Sequence, residues 1–92
     1  MNRVIVDAIE KRRRVTFTYH GKRRLVEPQC YGLSTKGNEV LRAHQLEGGD
    51  QREPLFDVSK LDDLAALVEH FIKSGSHYKK NDSAMTIIFA QL

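Results

Sequence analysis

The sequence predicts a mainly β domain with flanking helices, an α+β fold in which about five short antiparallel strands follow an N-terminal helix and precede a second helix. Three observations lead there. Apolar and β-branched residues alternate with polar ones from Val15 to Tyr19, the period of a half-buried strand. Glycine- and asparagine-containing clusters recur at short intervals, at His20-Gly21-Lys22, Thr35-Lys36-Gly37-Asn38 and Glu47-Gly48-Gly49-Asp50. Helical spacing of apolar residues appears on either side of this region, at Val4–Ile9 and at Leu61–Ile72.

The first helix is expected from Asn2 to about Lys11, where Val4, Ile5, Ala8 and Ile9 share a face and Asp7 precedes a basic run, an order that suits the helix dipole. Val15, Phe17 and Tyr19 alternate with Thr16 and Thr18 in the first strand, and His20-Gly21-Lys22 reads as a tight hairpin connection. The return strand runs from about Arg23 to Pro28, which ends or bends it because proline lacks a donor. Cys30 to Ser34 forms a third run, Glu39 to Gln45 a fourth and Pro54 to Val58 a fifth, with Phe56 expected in the core.

Ser59-Lys60-Leu61-Asp62 carries capping-box spacing. Leu61, Leu64, Leu67, Val68, Phe71 and Ile72 then form a stripe that predicts a helix ending near Ser74-Gly75. Asp62 and Asp63 would occupy its first turn, and His70 would sit beside the stripe. Ser76 to Ser83 is polar and irregular, while Ala84 to Leu92 reads as a final strand, with a short helix as the alternative. Short strands between two helices favour a strongly bent sheet or a closed SH3-like barrel, which limits exposed edges.

The chain has 92 residues, 40% of them hydrophobic, enough for one domain with a modest core and no disulfide or metal. It contains no apolar run near the ~20 residues needed to cross a bilayer, so no membrane is expected. Asp7 and Glu10 interrupt the early apolar stretch, which argues against a secretory leader and for a cytoplasmic protein. The single cysteine, Cys30, cannot form an internal disulfide, which fits a reducing compartment. Net charge is +3, but Lys11-Arg12-Arg13-Arg14 and Lys22-Arg23-Arg24 concentrate seven of the fifteen basic residues in one short stretch. That stretch suits phosphate groups, nucleic acid or acidic partners, or else it is a solvated basic face.

The order of motifs resembles the WYL domain family. The family's aromatic, any residue, tyrosine is Phe17-Thr18-Tyr19. Its glycine turn, then arginine, apolar pair and proline, is Gly21 with Arg24-Leu25-Val26-Glu27-Pro28. Tyr31-Gly32-Leu33 follows. At the strand that names the family, Glu39-Val40-Leu41 retains only the leucine, and Arg52, Phe56, Val58 and Lys60 match the later segment. The likeness covers residues 2–73, or all of 1–92 if the C-terminal extension, 74–92, belongs to the same domain. It implies an Sm-like or SH3-like barrel acting as a non-catalytic, ligand-sensing module, usually attached to a DNA-binding domain in bacterial regulators. It also places Arg24, Arg42, Arg52 and Lys60 nearest a ligand site, with Tyr19 beside them.

Chemically, guanidinium forks match phosphate oxygens and an aromatic ring stacks on a base, so a nucleotide or single-stranded nucleic acid is the expected ligand. The plainer account makes Tyr19 a core-edge residue and has the arginines solvated or paired with Glu27, Glu39 and Glu53. The competing function is a protein-interaction module that pairs with a copy of itself, or with a partner such as a transcriptional regulator, through a strand or the second helix.

Enzyme chemistry has less behind it. His20, His44, His70 and His77 show no metal-ligand spacing, so no metal is expected, and no motif calls for a cofactor. Gly48-Gly49 lacks the lysine and hydroxyl residue of a phosphate-binding loop. A hydrolase built on Cys30 would need a histidine within hydrogen-bond reach of the thiol.

Overall fold

The computed structural model describes residues 1–92. Its elements are α1 (Arg3–Glu10), β1 (Arg13–Tyr19), β2 (Lys22–Ser34), β3 (Glu39–Glu47), β4 (Leu55–Asp57), a 3-10 turn (Val58–Lys60), β5 (Asp62–His70) and β6 (Met85–Gln91). Strand accounts for 52% of the residues, so the fold is mainly β. The strands form one antiparallel sheet in the order β4-β3-β2-β1-β5, with β6 paired to β2.

Asn2 caps α1, its side-chain oxygen accepting from the Ile5 N–H at 3.2 Å. Ile5, Val6, Ala8 and Ile9 bury the helix face against Val15, Phe17, Val26, Tyr31, Leu41, Ala43 and Phe56. The rings of Phe17 and Phe56 meet edge to face at 4.9 Å between centroids, a favoured aromatic geometry. Tyr31 ties helix to sheet. Its buried hydroxyl accepts from the Asn2 N–H at 2.6 Å and donates to Glu39.

The hairpin between β1 and β2 turns at His20 and Gly21, both with positive φ (51° and 76°), the conformation that matches strand twist. Beyond it, the two runs read as Arg23–Pro28 and Cys30–Ser34 are one thirteen-residue strand. Pro28 is absorbed by an irregularity: the β2–β3 register shifts between Pro28 and Cys30, with Gln29 left in the bulge. β3 follows one edge of β2, while the other edge is shared end to end by β1, opposite Lys22–Val26, and β6, opposite Cys30–Ser34. Gly32 permits that second pairing, since a Cβ there would lie 2.0 Å from the Ile87 carbonyl oxygen.

Two expectations are corrected. The sheet is not closed into a barrel: β4 stops after three residues at the 3-10 turn, and α1 supplies the cover that closure would otherwise give. The predicted helix over Leu61–Ile72 is strand β5, hydrogen-bonded to β1. Its register against β1 is irregular in two places, and Asp63 has φ 53°. The extra residue between Asp62 and Ala65 lets Leu61 and Leu64 share the core side three residues apart, whereas Leu67 lines a surface hollow beside Thr16 and Leu25. Leu61 and Leu64 pack on the core, but Val68 and Ile72 are 82% and 86% exposed. The capping signal is spent on the 3-10 turn, where Asp57 accepts from the Ser59 N–H at 3.0 Å and its hydroxyl at 2.7 Å. Asp62, Asp63 and His70 are exposed on β5.

Candidate functional site

Tyr19 ends β1 on the core side of the sheet. Its ring stands edge to face against Phe56 at 5.0 Å, and its hydroxyl accepts from the Asp57 N–H at 3.1 Å. It is thus a fixed, half-buried core-edge residue. Arg24 of β2 reaches across the hairpin, its guanidinium carbon 5.6 Å from the Tyr19 ring centroid, within cation–π range. One terminal nitrogen donates to Gln45 Oε1 and the other to the Tyr19 carbonyl, both at 3.0 Å, while its buried Nε has no partner.

These groups open onto a hollow of about 400 Å³, also lined by His20, Asp50, Gln51, Pro54 and Leu55. Gln45 stiffens its floor, donating from its side chain to the Gln51 carbonyl at 2.8 Å. The hollow therefore combines a locked guanidinium, a tyrosine edge, an imidazole and one carboxylate. Such a mixture suits a ligand with an anionic group and a polar flat ring.

The other expected site residues lie elsewhere. Arg42 of β3 donates from Nε to Asp82 at 2.8 Å and from a terminal nitrogen to the Glu53 carbonyl at 3.0 Å. It lines a separate hollow of about 210 Å³ with Glu53, His77 and Asp82. Burial pushes the Asp82 carboxyl up, but hydrogen bonds from Arg42 and the Ala84 N–H outweigh it and hold the group below its ordinary value. Arg52 is exposed in the β3–β4 loop, where only its carbonyl is engaged, accepting from the Gln45 N–H at 2.6 Å. Lys60 is exposed on the 3-10 turn and lines neither hollow.

The two basic runs approach each other only through their inner members. Arg13 and Lys22 lie at opposite ends of β1, about 20 Å apart at ~3.3 Å per strand residue, but Arg24 lies opposite Phe17, three residues from Arg14, and Arg23 reaches the Thr16 hydroxyl, two residues from Arg14. Arg14 is paired with Glu27 at 2.9 Å and approaches Glu69 at 3.8 Å. Arg23 donates to the hydroxyls of Thr16 and Thr18.

Gln45, His20 and Asp50 were not among the expected site residues. Gln45 was legible, because period-two alternation puts it on the face of Leu41 and Ala43, where a buried amide needs partners. Nothing in the sequence fixes the fold of the Gly48–Asp50 loop that brings Asp50 to the hollow. Cys30 is fully buried, and its thiol neighbours are Met85 sulfur at 3.5 Å and Gln91 Oε1 at 3.9 Å, not a histidine. Burial pushes that thiol up, away from the thiolate a nucleophile requires.

No helix is long and apolar enough to cross a membrane. Comparison with models of known families, with curated proteins and with solved structures finds no match.

Proposed function

We propose that the protein is a non-catalytic, WYL-like ligand-sensing module that binds a nucleotide or single-stranded nucleic acid at the Tyr19–Arg24 hollow. The observation that carries this is the guanidinium of Arg24, fixed 5.6 Å from the Tyr19 ring centroid at the mouth of an open hollow. The fork is held by Gln45 and the Tyr19 carbonyl, so little side-chain entropy is lost when an anion arrives. Tyr19 and Arg24 are the contact residues. Arg42, Arg52 and Lys60 contribute at most to the long-range positive field. The buried single thiol, Cys30, fits a cytoplasmic setting, and a transcriptional regulator is the kind of partner to which occupancy would be passed.

The test is a salt-dependent titration of the chain against labelled single-stranded DNA, single-stranded RNA and a nucleotide pool. Saturable binding that weakens with salt, and is about tenfold weaker in Arg24→Ala than in Arg52→Ala, is the expected result. No saturable binding at low salt would overturn the proposal.

One observation favours a second function, self-association or docking of a protein partner through β5. Its outer edge is unpaired and carries exposed Val68, with exposed Ile72 just beyond. A concentration-dependent dimer in sedimentation velocity, abolished by Val68→Lys and unaccompanied by nucleic-acid binding, would establish it.

A further inference from the structure

Arg12 sits in the turn between α1 and β1 with φ 53°. One of its terminal nitrogens donates to the Ile72 carbonyl at 2.9 Å, and its own carbonyl accepts from the Phe71 N–H at 2.9 Å. These bonds lay the segment after β5 against the start of β1. Farther along, the Gly75 N–H donates to the side chain of Gln29, which is fully buried, and the His77 N–H donates to Glu53 at 2.7 Å. Tyr78 closes a turn onto the Gly75 carbonyl at 3.1 Å and anchors its hydroxyl to the Leu92 carbonyl at 2.8 Å. The segment from Ile72 to Tyr78 is irregular in secondary structure but pinned at both ends and in the middle.

Between this segment and Arg12 lies a hollow of about 560 Å³, lined by Arg12, Ile72, Lys73, Ser74, Ser76 and Tyr78 together with Gly75 and Leu92. No acidic side chain lines it. Each of four other surface hollows has at least one: Glu53 and Asp82, Asp50, Glu47, or Glu39 and Asp57. The groups on offer are donors. Arg12 keeps its remaining guanidinium N–H groups after binding Ile72, Lys73 is exposed, and the N–H groups of Lys73, Ser74 and Ser76 and both serine hydroxyls make no bond within the chain.

We infer that this hollow is a phosphate-binding site that takes the phosphoryl group of a phosphate monoester, at the opposite end of β1 from Tyr19 and independent of the hollow there. The lining carries no acidic side chain but two cationic side chains, two serine hydroxyls and three backbone N–H groups without a partner in the chain. A phosphoryl group, with three terminal oxygens and close to two negative charges, satisfies more of them than a carboxylate does. Beside these donors, the exposed Ile72 and the Tyr78 ring offer contact to the organic part of the ester.

The full chain, labelled with nitrogen-15, would be titrated with inorganic pyrophosphate at low salt while the amides of Lys73, Ser74 and Ser76 are followed. Saturable shifts at these amides are expected, weakened about tenfold in Lys73→Ala and in Arg12→Gln, with the thermal midpoint of Lys73→Ala unchanged. Amides that do not move, or shifts that survive both substitutions, would overturn the inference. Two further arms separate the sources of the phosphate. Adenosine monophosphate giving the same shifts as pyrophosphate identifies a small phosphorylated metabolite. A 5′-phosphorylated oligonucleotide giving shifts that neither its 5′-hydroxyl counterpart nor adenosine monophosphate gives identifies a nucleic-acid end. The amides of His20 and Gln51 report the Tyr19–Arg24 hollow separately, so failure at one site is distinguishable from failure at the other.

Discussion

Tyr31 carries a pH dependence that belongs to a single residue. Burial, and then its bond to the Glu39 carboxylate, push its phenol from the ordinary 10.0 up to about 12, against the lowering effect of the Asn2 N–H. A group whose pKa is raised by folding stabilises the fold below its unfolded value and loses that contribution as pH climbs through the folded one. Stability to urea should therefore fall between about pH 10 and about pH 12, and Tyr31→Phe should flatten that part of the profile. Phe56, 1% exposed and in edge-to-face contact with Phe17 and Tyr19, should cost about 3–5 kcal/mol on replacement by alanine, measured by chemical denaturation. Phe56 was legible as core because an aromatic residue alternated with Val58 in a short apolar run between turn residues. The setting of Tyr19 was only half legible. Its place at the end of an alternating strand and its nearness to Arg24 in the same hairpin were written in the sequence, but Asp57, whose N–H fixes its hydroxyl, comes from a distant part of the chain. Arg42 looked like a ligand residue because nothing in its neighbourhood announces Asp82, forty positions away.

At the level of elements, β1, β3 and the connections between them follow from period-two alternation and turn chemistry, and α1 follows from its apolar face and cap. β2 and β5 resisted for one physical reason, since both are interrupted by bulges. Proline reads as a strand end unless an irregularity takes up its missing donor, and Gln29 supplies one, which no local residue pattern declares. In β5 an irregularity puts Leu61 and Leu64 on the core side three residues apart, and Leu67, which lies beside Thr16 at the surface, completes a spacing that mimics a helix face. Two substitutions test this arrangement. Val68→Lys should change stability by less than about 0.5 kcal/mol, because the side chain already lies in water; a loss of several kcal/mol would mean that the stripe is buried, as a helix requires. Gly32→Ala should be far more damaging, since the new methyl would meet the Ile87 carbonyl and force β6 away from β2. Amide exchange should then rise selectively across Met85–Gln91.

For the molecule as a whole, the mainly β architecture was legible and the closure was not, because closure depends on whether β4 and β5 meet, and their meeting depends on the bulges and the 3-10 turn. Charge was similarly legible in amount but not in distribution: one basic stretch in sequence is spread along β1, from Lys11 and Arg12 before it to Lys22 beyond its far end, with Arg14 and Glu27 paired between. The shared edge of β2 also has a consequence for the order in which the protein assembles. β1, β2 and β3 are neighbours along the chain and can zip together as a meander, whereas the partner of Cys30–Ser34 is a strand that begins at Met85. Closing that long loop carries an entropic cost that the local hairpins do not. In pulsed exchange during refolding, amides of β1–β3 should gain protection before those of β6, and simultaneous protection would contradict this order. On the ribosome, half of one edge of β2, including Cys30, stays bare until the last stretch of these residues emerges. The newborn chain therefore passes through an interval in which a strand edge is open to a neighbouring nascent chain, and the speed with which β6 arrives decides how often that encounter ends in aggregation.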